Sequence, residues 1–184
     1  LQEGAYPCIR CSRELCTPKI PVYSIFPYTG REQRLLKQYK FGGDLRLSRF
    51  FARELECFLK KLYYNQRVIM IPIPGNPETI HLRGWDQMKE ITQKISQIDG
   101  LHTASVLRRR STGTSLKTLG KENRMAAAVR QYDVKKHSVR QAVSGRVILV
   151  DDMFTTGSTI QACCDLLLQR GVHVHSGITL FRDP

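Results

Sequence analysis

The stretch Val147-Ile-Leu-Val-Asp-Asp-Met-Phe-Thr-Thr-Gly-Ser-Thr159 constrains this chain more than any other. It opens with four apolar, β-favouring residues, 147–150, led in by the turn pair Ser144-Gly145. A short run of that kind fits a buried strand of a parallel sheet. Asp151 and Asp152 follow at its carboxyl end, and a small hydroxyl-rich loop comes next. Ile160, Ala162, Cys163, Leu166 and Leu167 then recur at helical spacing up to Gly171. The N–H groups of a helix start, with the hydroxyls of Thr155, Thr156, Ser158 and Thr159, suit an anion such as phosphate. Gly157 lets the backbone approach with no Cβ in the way. The two carboxylates stand where hydroxyls of a sugar on that phosphate could be held, at the strand end where open α/β sheets bind ligands. Two other readings compete: a purely structural strand-turn-helix, and an acidic pair that holds Mg²⁺ in another kind of nucleotide enzyme.

The remaining segments fit an α/β chain. Leu35, Leu36 and Tyr39 share one face of a short helix ending at Gly42-Gly43. Leu47, Phe50, Phe51, Leu55, Phe58, Leu59 and Leu62 predict a second helix with a core face. Arg67 to Pro74 reads as a second buried strand, closed by prolines. A loop from Gly75 to Ile80 leads to Arg83-Gly84, between that strand and a helix from Gln87 to Ile98 with Asp86 as its N-cap. Arg83 thereby falls where a second phosphate-binding loop would lie. Ala104 to Leu107 reads as a short strand. The basic, polar run Arg108-Arg109-Arg110 through Lys117 reads as a mobile loop. Such a loop could close over a diphosphate, track a polynucleotide backbone, or merely link two elements. Lys121 to Val129 looks helical, and His173 to Phe181 reads as a last strand.

Composition adds two constraints. Lys and Arg number 29 against 16 acids, a formal charge of +13, which favours polyanionic partners or solvated lysine-rich faces. No apolar run is long enough to cross a membrane and no signal-peptide pattern occurs, so membrane insertion is not expected and a cytoplasmic location is. The chain opens on Leu1 rather than methionine, which fits a piece of a longer protein. Of six cysteines, Cys57, Cys163 and Cys164 are expected as small core residues. Cys8 and Cys11 form a Cys-x-x-Cys pair with Cys16 close behind. That is half of a zinc site, and with no histidine nearby the fourth ligand could come from upstream, from another chain, or not exist at all.

The stretch at 147–159 resembles the phosphoribosyl-diphosphate (PRPP) signature of type I phosphoribosyltransferases, with Phe154 standing where a smaller aliphatic is usual. The whole, from Cys8 to the end, resembles the ComF family of competence-associated, phosphoribosyltransferase-like proteins. The resemblance rests on Cys8-x-x-Cys11 and on Tyr28-x-Gly30 with Leu35, Leu36, Lys40 and Gly43-Asp44. Ile71-Pro-Ile-Pro74, Arg83-Gly-Trp-Asp-Gln87, Leu107-Arg108, Leu119 and Arg124 carry it on to the signature. Three positions depart from it: Lys19 stands where a partner for Cys16 would be, the mobile loop's glutamine is replaced near Leu116, and an asparagine expected after Arg124 falls on Ala127.

That resemblance implies an α/β, type I phosphoribosyltransferase-like fold over residues 22–184, with a largely parallel sheet of about five strands flanked by helices. A cysteine-bearing appendage, a partial zinc ribbon, would occupy residues 1–21. It implies that Thr155, Thr156, Gly157, Ser158 and Thr159 hold a 5′-phosphate and that Asp151 and Asp152 hold ribose hydroxyls. Pro72, Ile73, Pro74 and Gly75, with Arg83 nearby, would form the pyrophosphate loop. Arg108, Arg109, Arg110 and Lys117 would close over the departing pyrophosphate, with Mg²⁺ bridging its oxygens. The reaction would be transfer of the phosphoribosyl group to a nitrogen nucleophile. The alternative is a non-catalytic scaffold for single-stranded DNA that works with competence-machinery proteins. Turnover, the acceptor and any oligomeric state are left open.

Overall fold

A computed structural model describes residues 19–110, 131–135, 138–139 and 145–183. In chain order these form β1 (Val22–Pro27), α1 (Gly30–Phe41), α2 (Arg46–Leu62), β2 (Val68–Pro72), α3 (Pro77–Arg83) and α4 (Gln87–Ile95). There follow β3 (Leu101–Thr103), β4 (Leu107–Arg109), β5 (Tyr132–Val134), β6 (Arg146–Phe154), α5 (Ser158–Leu168) and β7 (Val174–Arg182). Cys8, Cys11, Cys16, Lys117 and the helix expected from Lys121 to Val129 lie outside the described residues.

Five strands make one sheet in the order β1-β7-β6-β2-β3, every pair parallel. The centre is β6, which is why its residues 147–150 are apolar without alternation: both faces are covered. On one face Val68, Met70, Ile148, Val150, Ile178 and Leu180 pack against Leu36, Tyr39, Phe51, Leu55, Leu59, Met88, Ile91 and Ile95 of α1, α2 and α4. On the other, Ile69, Ile71, Val147 and Leu149 pack against α5 through Ile160, Cys163, Cys164 and Leu167. The same side carries β4 and β5, a separate antiparallel pair with Leu107 opposite Val134. The α/β fold with a parallel central sheet flanked by helices is therefore as expected.

Several local expectations are corrected. β1 had no counterpart in the sequence reading; as an edge strand its residues are only partly buried, so no apolar run marks it. The segment expected as a loop from Gly75 to Ile80 turns helical at Pro77, which takes the first position of α3 behind an Asn76 cap that accepts the Glu78 N–H at 2.9 Å. No residue of α3 is buried, so no apolar stripe reveals it; caps alone define it, with Gly84 at φ 84° ending it. The strand expected at Ala104 to Leu107 does not form: residues 104–106 link β3, which ends at Thr103, to β4, which starts at Leu107. α4 stops at Ile95 rather than Ile98. Cys57 is exposed, not core, while Cys163 and Cys164 are buried; Phe50, on the rim of α2's apolar face, is also exposed.

Candidate functional site

β6 runs four residues past Val150, the last of its buried aliphatics, and carries Asp151 and Asp152 toward the carboxyl edge of the sheet, still within the strand. The chain then turns through Thr155 and Thr156, both exposed, to Gly157, which caps α5 at φ 75°. That left-handed value favours glycine over any side chain. Thr156 and Ser158 hydroxyls lie 2.7 Å apart across the turn. The open N-terminus of α5 and these hydroxyls thus follow directly on the acids at the carboxyl edge of the sheet, an arrangement suited to an anion.

The neighbouring strand brings a second loop. Pro72 pairs in register with Val150, and the Ile73 N–H donates to the Val150 carbonyl at 2.9 Å. Gly75 then donates its N–H to Oδ2 of Asp86 at 3.0 Å, while Oδ1 of Asp86 accepts from Met88 N and Lys89 N and caps α4. The segment Pro72 to Gly75 is therefore fixed beside the acidic pair.

The acids themselves are differently bound. Asp151 accepts the Asp152 N–H at 2.8 Å and is half-buried. Loss of water and the charge of Asp152 hold its carboxyl well above the usual carboxylate range, against the opposing pull of that N–H, Lys40 and Arg109. Asp152 is buried, and its Oδ2 lies 2.7 Å from the ammonium of Lys40 on α1. The same oxygen accepts from the Gln87 side-chain amide, whose Oε1 accepts from Arg83. Arg83 ends α3, and its guanidinium lies over both Trp85 and Phe41, 5.3 and 5.9 Å from the ring centres. It reaches the acidic pair through Gln87.

Of the basic run, Arg108 and Arg109 belong to β4 rather than to a loop, because β5 pairs with them. Arg108 and Arg110 bind Asp133, whose carboxyl they pull down to about 2. Arg109 donates to Gln131 at 2.8 Å and lies over the ring of Tyr132, on the side from which its charge reaches Asp151. Sequence reasoning gave Lys40 and Gln87 no role of their own. Each comes from an element distant in the chain, so no local spacing connects them to Asp152.

A basic groove lies at the opposite edge. Arg67, Arg146, His173 and His175, with Gln66, line a hollow of about 550 Å³ at the amino ends of β2, β6 and β7. A second hollow of about 720 Å³ adjoins it, sharing Gln66 and Arg67 and adding Lys60, Tyr63, Tyr64 and His102. Arg146 opens the strand that carries the acids, five residues before Asp151, so the groove stands about 16 Å from them along the strand.

No protein-family model matches the chain. Among curated proteins it is 26% identical to the competence protein ComFC of Bacillus subtilis over 161 residues, which cover 87% of this chain and 63% of that protein. It is 26% identical to ComFC of Streptococcus pneumoniae, covering 80% of this chain and 62% of that one. The DNA utilization protein YhgH of Salmonella typhi is also 26% identical, over 91% of this chain and 75% of its own length. The chain thus spans somewhat under two thirds of the ComFC relatives. Among solved structures, a hypoxanthine phosphoribosyltransferase from Staphylococcus aureus aligns with a TM-score of 0.43 at 17% identity, covering 76% of this chain and 64% of that one. Over most of its length the chain is thus similar, at 26% identity, to ComFC competence proteins and to the DNA utilization protein YhgH.

Proposed function

We propose that the carboxyl edge of the sheet binds PRPP or a ribose 5-phosphate ligand. The observation that carries this reading is that one β6–α5 unit presents two adjacent carboxylates and an open helix N-terminus behind Gly157, beside the fixed loop Pro72 to Gly75. Phosphate at Thr155 to Thr159 and ribose hydroxyls at Asp151 and Asp152 account for both halves of the site. In the transfer reaction this supports, the C1–oxygen bond breaks with its electron pair going to pyrophosphate. A nitrogen lone pair forms the new bond to C1, and the nitrogen's proton passes to solvent. The chain's part is positioning and charge: Arg109, over the Tyr132 ring, lies near enough for its charge to reach Asp151, and backbone N–H groups would meet the anion.

Mg²⁺ does not fit as a resident of this chain. Asp152 is committed to Lys40 and Gln87, and among the described residues no group of three or more metal-binding side chains occurs. The ion would accompany the diphosphate and shield its charge. Calorimetric titration of PRPP with Mg²⁺ tests the reading on wild type and on Asp151→Asn/Asp152→Asn. Binding lost in the double variant is expected; no heat from folded wild type overturns it.

One observation favours a second reading, that the protein also handles single-stranded DNA. Cationic residues gather in the groove at the amino edge with the exposed Tyr64, away from the acids, and the relatives are named for competence and DNA utilization. A chain of phosphates there would release counterions, so affinity for an oligonucleotide should fall steeply with salt. Arg67→Glu should weaken it, and an unchanged salt slope in that variant would remove this reading.

A further inference from the structure

We infer that Lys40 is the fixed cation of the acidic pair, a positioning residue that lets Asp151 and Asp152 act together as acceptors for a sugar diol without a metal ion between them. This rests on the ribose reading of the site. Two adjacent carboxylates repel, and each accepts hydroxyl hydrogens best when ionised. Something positive must therefore stand beside them. Lys40 Nζ lies 2.7 Å from Asp152 Oδ2, and its side chain is only 20% exposed, although a lysine in the last turn of a helix ordinarily extends into water.

The rest of the network fixes that ion pair in place. Arg83 donates to Gln87 Oε1, which turns the Gln87 amide so that its N–H meets the same Asp152 oxygen. Tyr39, next to Lys40, donates its hydroxyl to the Gln87 carbonyl at 2.9 Å and packs on Trp85 with ring centres 4.7 Å apart. Thus α1, α3 and α4 converge on one carboxylate of β6. An ordinary surface ion pair has no such convergence.

The test compares wild type, Lys40→Met and Lys40→Arg by calorimetry with two probes, ribose 5-phosphate and inorganic phosphate, in EDTA and in Mg²⁺. Inorganic phosphate carries no sugar hydroxyls for the acids to accept, so it reports damage unrelated to them. Lys40→Met is expected to lose about tenfold or more in affinity for ribose 5-phosphate while phosphate stays within about twofold, and Lys40→Arg to recover most of the loss. Wild type is expected to bind ribose 5-phosphate equally in EDTA and Mg²⁺. Lys40→Met within about twofold of wild type for ribose 5-phosphate overturns the inference, as does equal loss of both probes, which is the mark of a structural role. A wild-type requirement for Mg²⁺ overturns it too. Wild type that binds neither probe sinks the proposed function itself, a result separable from the others.

Discussion

Asp86 holds Gly75 and a helix with one carboxylate: Oδ2 accepts the Gly75 N–H at 3.0 Å, and Oδ1 accepts the first N–H groups of α4. The loop beside the acidic pair and the helix carrying Gln87 are thereby one unit. Asp86→Ala should cost about 1–3 kcal/mol, a lost cap plus an unmet loop N–H, seen as a lower denaturation midpoint. It should also weaken pyrophosphate binding, and Asp86→Asn should do so in part, because its amide keeps one acceptor oxygen and turns an NH₂ donor toward one of the two sets of N–H groups. Unchanged stability in Asp86→Ala would show that the loop is held by something else.

Asp151 gives a pH signature. Its folded carboxyl titrates well above the usual range because it is desolvated beside Asp152. A raised pKa means the folded state binds the proton more tightly than the unfolded chain. Its contribution is then fully present at acid pH and is lost as pH rises from the unfolded value through the folded one. Asp151→Asn keeps an acceptor for the Asp152 N–H and removes that loss. Its melting temperature should therefore gain on wild type progressively as pH rises through this window, while ribose binding falls. Parallel melting-temperature curves for the two proteins would contradict this.

Tyr63 and Ser176 share a buried hydrogen bond of 2.6 Å between the end of α2 and β7. Tyr63→Phe leaves the serine hydroxyl without that partner and should cost about 1 kcal/mol. A double-mutant cycle with Ser176→Ala should give a coupling of similar size, because both single changes remove the same bond. Additive effects would mean that the two groups stabilise the fold independently.

The thiols should separate by reactivity. Burial pushes Cys164 up to about 12 and Cys163 well above its ordinary value, whereas Cys57 is exposed on α2. A thiol reagent at mildly alkaline pH should lose one fast equivalent with Cys57→Ser. Cys163→Ser should leave the fast phase as it was. A fast phase that shrinks with Cys163→Ser would place that side chain nearer solvent than the core packing does.

The sequence by itself determined the central strand, the acidic pair at its end, the glycine turn and the helix behind it. These are local: aliphatic run, turn chemistry and helical spacing all act between near neighbours in the chain. The apolar faces of α2 and α4 were legible for the same reason, and so was the Asp86 cap. What only the tertiary structure decided depends on segments far apart in sequence. β1 becomes a strand because β7 offers it an edge, and β4 because β5 pairs with it, which draws Arg108 and Arg109 out of the expected loop. Lys40 and Gln87 meet Asp152 only because α1 and α4 pack on the same face of the sheet. In the sequence the charges of Arg67 and Arg146 counted only toward the total. Parallel strands put all their amino ends at one edge and all their carboxyl ends at the other, so Arg67 and Arg146 come to lie together and away from the acids.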